Sequence, residues 1–508
     1  MPPETPPAPS RLHPAVWVVT ALTAAVHLAV AGRYDIFRNE LYFIVCGWHP
    51  DFGYADQPPL VPLIAAATQI FGINAWLLRL PAVIAAVALV PLTALFAQRL
   101  GGSTASAVIA AIAASIAPAL IGLTSILTTT TFEPIAWTAC AYCIALAVLT
   151  DNRRALIWAG AIVGLSLEAK YGIAPWLAGL VLGLLATPAR RLFAWRETWL
   201  GTALVIALAA PSLIWQAAHG WPFASLIAHH NASNAIFTGS PLHYEIVQVF
   251  ALNVVLAPLW IAGIIAPFAI ERLTPVRFLA IAFVIASVIT IAAGGKDYYM
   301  FAAYPAMFAV GAAAFRGIRA RLASLWLVLA FAQSVILAPV VLPLLDPPRL
   351  SRLFAHSHLR PPPDEAAAIG APLTQVFSDE LGWRALEHQV AAVWHALPAN
   401  ARAHAAIVAT NYGEAAAIDV YGKADGLPPA LSGQNQYFLW GPRGYDGSVI
   451  IHVNGDPERW RDGCASVETV AKFGAPFVMP YENNAPIFIC RGLKRPLAEI
   501  WPRLQRYQ

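Results

Sequence analysis

Long apolar stretches alternate with short polar ones through the first two thirds of the chain. The first stretch runs from Ala15 to about Gly32. Ten more follow, near residues 79–98, 105–123, 133–150, 155–170, 172–187, 200–217, 247–270, 277–294, 300–316 and 322–344. A helix needs about 20 apolar residues to cross the hydrocarbon core of a bilayer. The pattern therefore predicts about eleven transmembrane helices.

Two stretches depart from this pattern. Residues 59–73 are apolar, but prolines interrupt them and they are too short to span a bilayer, which indicates an interfacial or re-entrant helix. Residues 1–14 are rich in proline and are interpreted as a disordered cytoplasmic tail.

Composition agrees with a membrane protein. Of the 508 residues, 58% are hydrophobic and only 12% are charged, whereas soluble domains usually carry about 25% charged residues. The net charge of +4 is small, and the arginines that cause it are spread over separate loops. They form no basic patch of the kind that binds nucleic acid, so a nucleic-acid partner is not expected.

The arginines also predict how the helices are oriented. Alternate loops contain Arg99, Arg153, Arg154, Arg190, Arg191, Arg196, Arg272, Arg277, Arg316, Arg319 and Arg321, and the loops between them contain few basic residues. Arginine-rich loops face the cytoplasm in multi-pass proteins. The loop at 35–62, the loop ending at Glu133, the loop at 216–246 and the Lys296 loop are therefore predicted to share the outer face, together with the C-terminal region.

The last third of the chain resembles a soluble domain. Short buried strands are predicted at Ala405–Ala409, Val449–Val453 and Ile487–Cys490, with helices at 379–397 and 412–419. These elements predict an extracytoplasmic α/β domain over residues 346–508, after a transmembrane domain at 15–345 whose first outer loop is 33–78. The sequence leaves open whether the two cysteines of this domain, Cys464 and Cys490, form a disulfide.

The first outer loop holds the most suggestive polar residues. Asp35, Glu40 and Asp56 lie just beyond the end of an apolar run, where carboxylates are costly unless they are paired or used in function. A solvated loop whose acids face water is the alternative. A catalytic loop is the hypothesis that the other outer residues favour.

Further ionisable residues fall on the same predicted face. Arg79, Glu133, Lys170 and Lys296 each stand near the outer end of a helix. Singly, they fit a helix-terminal charge, a snorkelling lysine or an interfacial anchor. Together they suit a reaction at the bilayer surface, because cations would hold a leaving phosphate and a carboxylate would accept a proton.

Several short strings give this pattern a family resemblance. They are Gly53-Tyr54-Ala55-Asp56-Gln57-Pro58-Pro59-Leu60, Arg79-Leu80-Pro81, Leu167-Glu168-Ala169-Lys170-Tyr171, Lys296-Asp297-Tyr298-Tyr299, Asn411-Tyr412-Gly413-Glu414-Ala415 and Leu439-Trp440-Gly441-Pro442. In order and spacing they resemble bacterial family 39 glycosyltransferases. That family is related to protein O-mannosyltransferases and lipid A aminoarabinose transferases and has the multi-helix GT-C fold.

The resemblance implies the transfer of a sugar, with inversion, from a polyprenyl-phosphate sugar. This donor is a lipid-linked sugar that lies among the membrane lipids. The acceptor would be a glycolipid, polysaccharide or protein outside the bacterial cytoplasmic (inner) membrane. Glu40 would act as the base, with Asp56 and Asp35 in reserve. The donor phosphate would be bound by residues chosen from Lys296, Tyr298, Tyr299, Lys170 and Arg79, and Asn39, Gln57 and Glu133 are further site candidates.

Asn39 stands where many relatives have aspartate, so one hard oxygen ligand is missing. The metal site is therefore unknown, and a divalent cation is the one cofactor left open. Two alternative functions also remain open. One is an enzyme similar to O-antigen ligases or polymerases that uses diphosphate donors. The other is a lipid or sugar transporter, whose charged residues would follow a path through the membrane.

Overall fold

The computed structural model describes residues 11–233, 240–357, 359–361 and 368–506. Most of the predicted N-terminal tail lies outside these ranges. The chain divides into two compact units. Unit 1 comprises residues 1–33, 79–214 and 238–344, and unit 2 comprises residues 34–78, 215–237 and 345–508.

Unit 1 is built from apolar helices, one or two at each predicted run. Their bounds are Pro14–Val30, Ala75–Arg99, Thr104–Ile116, Pro118–Leu123, Glu133–Thr150, Arg154–Ala169, Ala174–Leu185, Arg196–Ala218, Pro241–Ala251, Ala257–Ala269, Arg277–Ala292, Tyr304–Ala314 and Ala320–Val341. Two of these helices, Ala75–Arg99 and Arg196–Ala218, continue into unit 2.

Breaks in these helices have local causes. The run at 105–123 is divided at Ala117, which is extended (ψ 115°) because the following Pro118 disfavours the helical conformation. Among the described residues, five helices are long and apolar enough to cross a membrane, or up to seven if two bent pairs count as single spans. The protein is thus a multi-pass membrane protein, and the figure of about eleven spans stays a prediction.

Close helix contacts in unit 1 depend on glycine. A Cβ atom at Gly183 would collide with the carbonyl oxygen of Phe278, and one at Gly179 would collide with that of Ala282. Small residues let helix backbones approach in membranes, where apolar burial alone gives little preference for helix over lipid. The pairing of helices Ala174–Leu185 and Arg277–Ala292 therefore depends on these two glycines.

Unit 2 contains a five-stranded mixed sheet. Its strands are β1 (Ala405–Ala409), β2 (Leu431–Ser432), β3 (Val449–Val453), β4 (Cys464–Phe473) and β5 (Ala485–Leu493). Their spatial order is β2-β1-β3-β5-β4, with β1 parallel to both neighbours and β5 antiparallel to both of its own. Every residue of β1 and β3 is buried, as expected for central strands that are almost entirely apolar, with His452 the one polar residue.

Strands β4 and β5 are joined by the disulfide Cys464–Cys490. The question that the sequence left open is thereby answered for this structure. The predicted strands at 405–409, 449–453 and 487–490 are also present, the last as part of the longer β5.

Short helices complete unit 2. They are Arg38–Trp48, Leu60–Thr68, Pro222–Ser233, Pro347–His356, Gln375–Ser378, Trp383–Ala396, Ala399–Arg402, Tyr412–Tyr421, Asn435–Trp440, Pro457–Arg461 and Leu497–Ile500. The predicted helices at 379–397 and 412–419 correspond to Trp383–Ala396 and Tyr412–Tyr421. The helix predicted within 59–73 is Leu60–Thr68, and its position relative to the membrane stays a prediction.

Residues 34–78 fold together with residues 345–508. The helix Arg38–Trp48, here called the first-loop helix, packs against helix Tyr412–Tyr421, more than 360 positions later in the chain. The predicted first outer loop is thus part of the compact unit that contains the sheet. The predicted domain boundaries and the outer location of the C-terminal region are not tested by this arrangement and stay predictions.

Candidate functional site

Glu40 lies at the start of the first-loop helix and is completely buried. Its Oε2 atom accepts a hydrogen bond of 2.9 Å from the backbone N–H of Phe37, one of the donors that the first turn of a helix leaves unsatisfied. A carboxylate near a helix N-terminus is also favoured by the helix dipole. In this conformation the predicted base therefore has a structural task, which is to begin the helix.

Asp56 is less enclosed than Glu40 and is held by two donors. The Tyr42 hydroxyl donates to Oδ1 at 2.7 Å, and the Asn435 amide donates to Oδ2 at 3.2 Å. Burial raises the pKa of Asp56 to about 6, although these hydrogen bonds favour the ionised form and oppose the rise. Asp56 is thus a carboxylate that titrates near neutral pH, as a general base should.

The chain around Asp56 is fixed by further hydrogen bonds within unit 2. The backbone N–H of Ala55 donates to Gln436 Oε1 at 2.9 Å, and the Gln216 amide donates to the carbonyl of Tyr54 at 2.8 Å. The buried Gln57, a predicted site residue, directs its amide at Cys46 Sγ, 3.9 Å away. Gln57 thus contributes to the packing of this turn.

Asp35 and Asn39 contact side chains of helices Trp383–Ala396 and Tyr412–Tyr421. Asp35 Oδ2 lies 3.0 Å from Arg384 Nε, and its Oδ1 accepts a hydrogen bond of 3.1 Å from the Tyr421 hydroxyl. Asn39 Oδ1 accepts a hydrogen bond of 2.7 Å from the Tyr412 hydroxyl. Both predicted site residues are therefore oriented by side chains more than 340 positions away.

Arg38 strengthens this attachment, although it is not among the site residues predicted from the sequence. Its backbone N–H donates to the carbonyl of Asp379 at 3.0 Å, and its guanidinium donates to the Tyr481 hydroxyl at 2.5 Å. The guanidinium also lies 3.7 Å from Asp379 Oδ2 and 5.2 Å from the centre of the Tyr412 ring. Arg38 therefore ties the N-terminus of the first-loop helix to three separate segments.

A pair of buried carboxyl groups lies behind this contact. Glu414 Oε1 accepts hydrogen bonds from the amides of Asn411 (2.8 Å) and Asn454 (2.7 Å), and Glu482 Oε1 accepts one from Asn411 (2.9 Å). Burial raises the pKa of both carboxyl groups, and in Glu482 the neighbouring Glu414 adds to the rise. The pair therefore favours a shared proton over two full charges.

A second cluster of candidates lies in unit 1 and is called the lysine–tyrosine cluster. Lys170, at the end of helix Arg154–Ala169, places its Nζ atom 3.4 Å from Glu133 Oε2. The same atom lies 4.6 Å from the ring centre of Tyr299 and 5.4 Å from that of Tyr298. Gly172 is required beside this pair, because a Cβ atom there would collide with Glu133 Oε1.

Lys296 precedes the 3₁₀ helix Asp297–Ala303, which carries the two tyrosines. The neighbouring Tyr298, followed by burial, raises the pKa of Tyr299 to about 12, while Lys170 and Lys296 both oppose the rise. Two cations therefore act on the Tyr299 hydroxyl. The structure brings Glu133, Lys170, Tyr298 and Tyr299 together, with Lys296 nearby. The predicted role of the two lysines and the two tyrosines in phosphate binding stays a prediction, and Arg79 is placed elsewhere in unit 1.

Arg79 lies in helix Ala75–Arg99 and is almost fully buried. Its Nη1 atom donates to the carbonyl of Ala31 at 2.9 Å, just beyond the end of helix Pro14–Val30. A guanidinium at a helix C-terminus offsets the carbonyls left unpaired there. This contact gives Arg79 a structural role beside its predicted role in phosphate binding.

Within the described ranges, none of the predicted site residues belongs to a group of three His, Cys, Asp or Glu side chains close enough to bind one metal ion. One such group is present there, and it consists of Glu387, His388 and Asp425.

Comparisons with known proteins concern the fold and the family of one part of the chain. A family profile described as dolichyl-phosphate-mannose-protein mannosyltransferase matches residues 56–215. The crystal structure of ArnT from Cupriavidus metallidurans bound to undecaprenyl phosphate matches with a TM-score of 0.60 at 13% identity, over 93% of this chain and 97% of ArnT. The apo structure of the same ArnT matches with a TM-score of 0.59 at 14% identity, with the same coverage. No curated protein matches the chain.

The chain has the fold of a GT-C glycosyltransferase. The fold that the resemblance implied is thereby confirmed over 93% of the chain. The matched profile includes Asp56, Gln57, Arg79, Glu133 and Lys170. Glu40, Asp35 and the Lys296 segment lie outside it. The match assigns no role to a single residue, so the roles of all the site candidates stay predictions.

Proposed function

We propose that this protein is a membrane glycosyltransferase that moves a sugar from a polyprenyl-phosphate donor to a hydroxyl of an extracytoplasmic acceptor. The observation that carries this proposal is the ArnT fold, found over 93% of the chain and in a structure that contains undecaprenyl phosphate. The matching mannosyltransferase profile supports a donor in which one phosphate joins the sugar to the lipid.

The reaction is a single displacement with inversion. The acceptor oxygen forms a bond to the anomeric carbon, the bond from that carbon to the phosphate oxygen breaks, and polyprenyl phosphate leaves. A first-loop carboxylate takes the acceptor proton. Asp56 suits this role better than Glu40, because Asp56 is partly accessible and has a pKa near 6, whereas Glu40 is buried and caps a helix.

The lysine–tyrosine cluster is assigned to the donor phosphate. Charge on the leaving phosphate increases as the bond to the sugar breaks, and preorganised cations stabilise that charge. Lys170 and Lys296 supply the positive charge, and the Tyr299 hydroxyl lies under the influence of both. Glu133 fixes the position of Lys170 through their ion pair.

We place the protein in the bacterial inner membrane with about eleven spans and its C-terminal region on the periplasmic side. The arginine-rich loops support this orientation. The disulfide Cys464–Cys490 supports it independently, because disulfides persist in oxidising compartments such as the periplasm.

The test is release of polyprenyl phosphate from synthetic polyprenyl-phosphate sugars by the purified protein, with and without a chelator. Wild type should release the lipid monophosphate and Asp56→Asn should not. The matched control is Asp51→Asn, because Asp51 is exposed in the same loop and should be dispensable. Glu40→Gln is compared with both, since full activity in that variant would remove Glu40 from the reaction.

Other outcomes identify the alternatives. Release of lipid diphosphate from diphosphate donors, without release from monophosphate donors, would indicate an enzyme similar to O-antigen ligases. Movement of intact lipid-linked sugar across vesicles without any release would indicate a transporter. Loss of activity with the chelator would show that the reaction requires a divalent cation.

A further inference from the structure

We propose that Glu387, His388 and Asp425 form a binding site for a zinc ion in unit 2, away from the residues assigned to sugar transfer. Helix Trp383–Ala396 supplies Glu387 and His388, and Asp425 lies in the turn that follows helix Tyr412–Tyr421. This proposal does not depend on the proposed transferase activity, because none of the three residues has a role in it.

The ligand atoms have the spacing that an ion requires. His388 Nδ1 lies 3.2 Å from Glu387 Oε2 and 3.7 Å from Asp425 Oδ2, and one ligand atom from each residue fits within 4.8 Å of the others. Nitrogen and oxygen ligands about 2.0 to 2.2 Å from a tetrahedral zinc ion lie about 3.3 to 3.6 Å apart. Small side-chain adjustments therefore suffice to hold the ion.

The buried carboxylate of Glu387 points independently to a ligand. Its side chain is only 1% exposed, and Oε1 is buried and makes no hydrogen bond within the described part of the chain. Unpaired carboxylate oxygens are costly to bury, so a native structure normally supplies a partner. A cation bound beside Glu387 would supply the partner that Oε1 lacks among the described residues.

An ion can reach this position from solvent. The side chains of His388 and Asp425 are 72% and 41% exposed, so the cluster is open on the side opposite Glu387. One imidazole nitrogen and two carboxylate oxygens suit zinc, and the open side leaves the fourth position for water. A protonated His388 is the alternative partner for the two carboxylates, and metal titration distinguishes the two.

Hydrogen bonds and a glycine fix the turn that holds Asp425. The backbone N–H of Asp425 donates to the carbonyl of Gly422 at 3.1 Å, and His395 Nε2 lies 2.9 Å from the carbonyl oxygen of Asp425. Gly426 follows in the left-handed conformation with φ 69°, which glycine adopts without strain. The ligand is therefore carried on a fixed turn.

A bound ion would stiffen the support of the first loop. Arg384 lies one helical turn before His388 on the same helix, and it bonds Asp35 Oδ2 at 3.0 Å while stacking over Tyr421 at 4.1 Å. Zinc would clamp this helix to the turn after Tyr412–Tyr421. We therefore expect zinc to raise the unfolding temperature of the wild-type protein.

The test is titration of the full-length, tag-free protein with Zn²⁺ in a calorimeter after chelator treatment, with Co²⁺ absorption as a second measurement of coordination. One equivalent should bind per chain. His388→Ala and Glu387→Gln should each weaken binding at least tenfold. His404→Ala should leave it unchanged, because His404 is an exposed histidine of the same region outside the cluster.

Three results would overturn the proposal. The first is the absence of saturable one-to-one binding by the folded wild-type protein. The second is equal affinity in wild type and His388→Ala, and the third is an equal loss in His404→Ala. His388→Ala changes an exposed side chain, so a folding defect would not obscure the result, and its unfolding temperature without zinc verifies this.

Discussion

The first-loop residues and the lysine–tyrosine cluster are held in different ways. Two carboxylates of the first loop, Asp35 and Asp56, each accept hydrogen bonds from two side chains of unit 2. Lys170 has one ion pair at 3.4 Å and two aromatic rings, whose faces attract a cation without occupying its hydrogen-bond directions. The carboxylates are thus preorganised, whereas the lysine keeps donors for an incoming phosphate.

The largest effect is expected from removing Lys170. Lys170→Met should lower kcat/KM for the lipid donor by about 10² to 10³, the range found when one electrostatic stabiliser is lost. Lys170→Arg should recover part of the loss because it keeps the charge. Initial rates against donor concentration measure the effect, with Lys494→Met as control, since Lys494 is an exposed lysine of the C-terminal region.

Structural damage can be separated from this loss. Lys170→Met leaves the buried Glu133 without its ion-pair partner. Adding Glu133→Gln should restore the thermal stability but not the activity. A double variant that regains full activity would show that Lys170 acts only as a partner of Glu133.

A smaller effect is expected from cutting one attachment of the first-loop helix. Tyr412→Phe removes the hydrogen bond to Asn39 Oδ1, whose net contribution is about 1 kcal/mol. If that free energy is lost from the activation step, kcat should fall by about fivefold to tenfold. The donor KM should stay the same. Tyr445→Phe is the matched control in the same region, and an equal loss there would contradict a specific positioning role.

The pH dependence sharpens the role of Asp56. A base must be ionised, so kcat/KM should rise as pH increases through about 6, the pKa of Asp56. Tyr42 favours the ionised form, so Tyr42→Phe should raise that pKa and move the limb of the profile to higher pH, by about one unit. If the limb of the kcat/KM profile does not move in Tyr42→Phe, the group that titrates in this profile is not Asp56.

The smallest effect is expected on stability. The folded pKa values of Glu414 and Glu482 are raised, so the folded state keeps a proton that the unfolded chain releases above a pH of about 4.5. Stability should therefore fall as pH rises above that value. The amide of Glu482→Gln does not titrate, so no proton has to be retained on folding. This variant should be more stable than wild type at pH 8, by on the order of 1 kcal/mol, but not at pH 4. Thermal midpoints at both pH values measure this.

The sequence predicted local features well. Apolar runs located the helices because a membrane helix satisfies all its backbone hydrogen bonds within one continuous segment. Hydropathy detects such a segment directly. Short apolar runs in the last third likewise located β1, β3 and the middle of β5. Lys170, Glu133 and the two tyrosines were recognised because they stand at helix ends, and the structure brings them together.

Contacts between distant parts of the chain were not predictable. Nothing near Asn39 signals that Tyr412 donates to it, and Tyr42 and Asn435 gave no sign that they bond Asp56. The string beginning at Asn411 was recognised by resemblance alone, without its contact to the first loop. The burial of Glu40 was also missed, because a carboxylate early in a helix looks the same in sequence whether it caps the helix or faces a substrate.

One experiment tests whether the first loop acts in catalysis while the lysine–tyrosine cluster binds the donor. Donor affinity and the single-turnover rate of polyprenyl phosphate release are compared in wild type, Asp56→Asn and Lys170→Met. We expect Asp56→Asn to bind the donor as wild type does but to release lipid about 10² to 10⁴ times more slowly, and Lys170→Met to bind the donor more weakly. A wild-type release rate in Asp56→Asn, with donor still bound, would contradict the assignment of the first loop to catalysis.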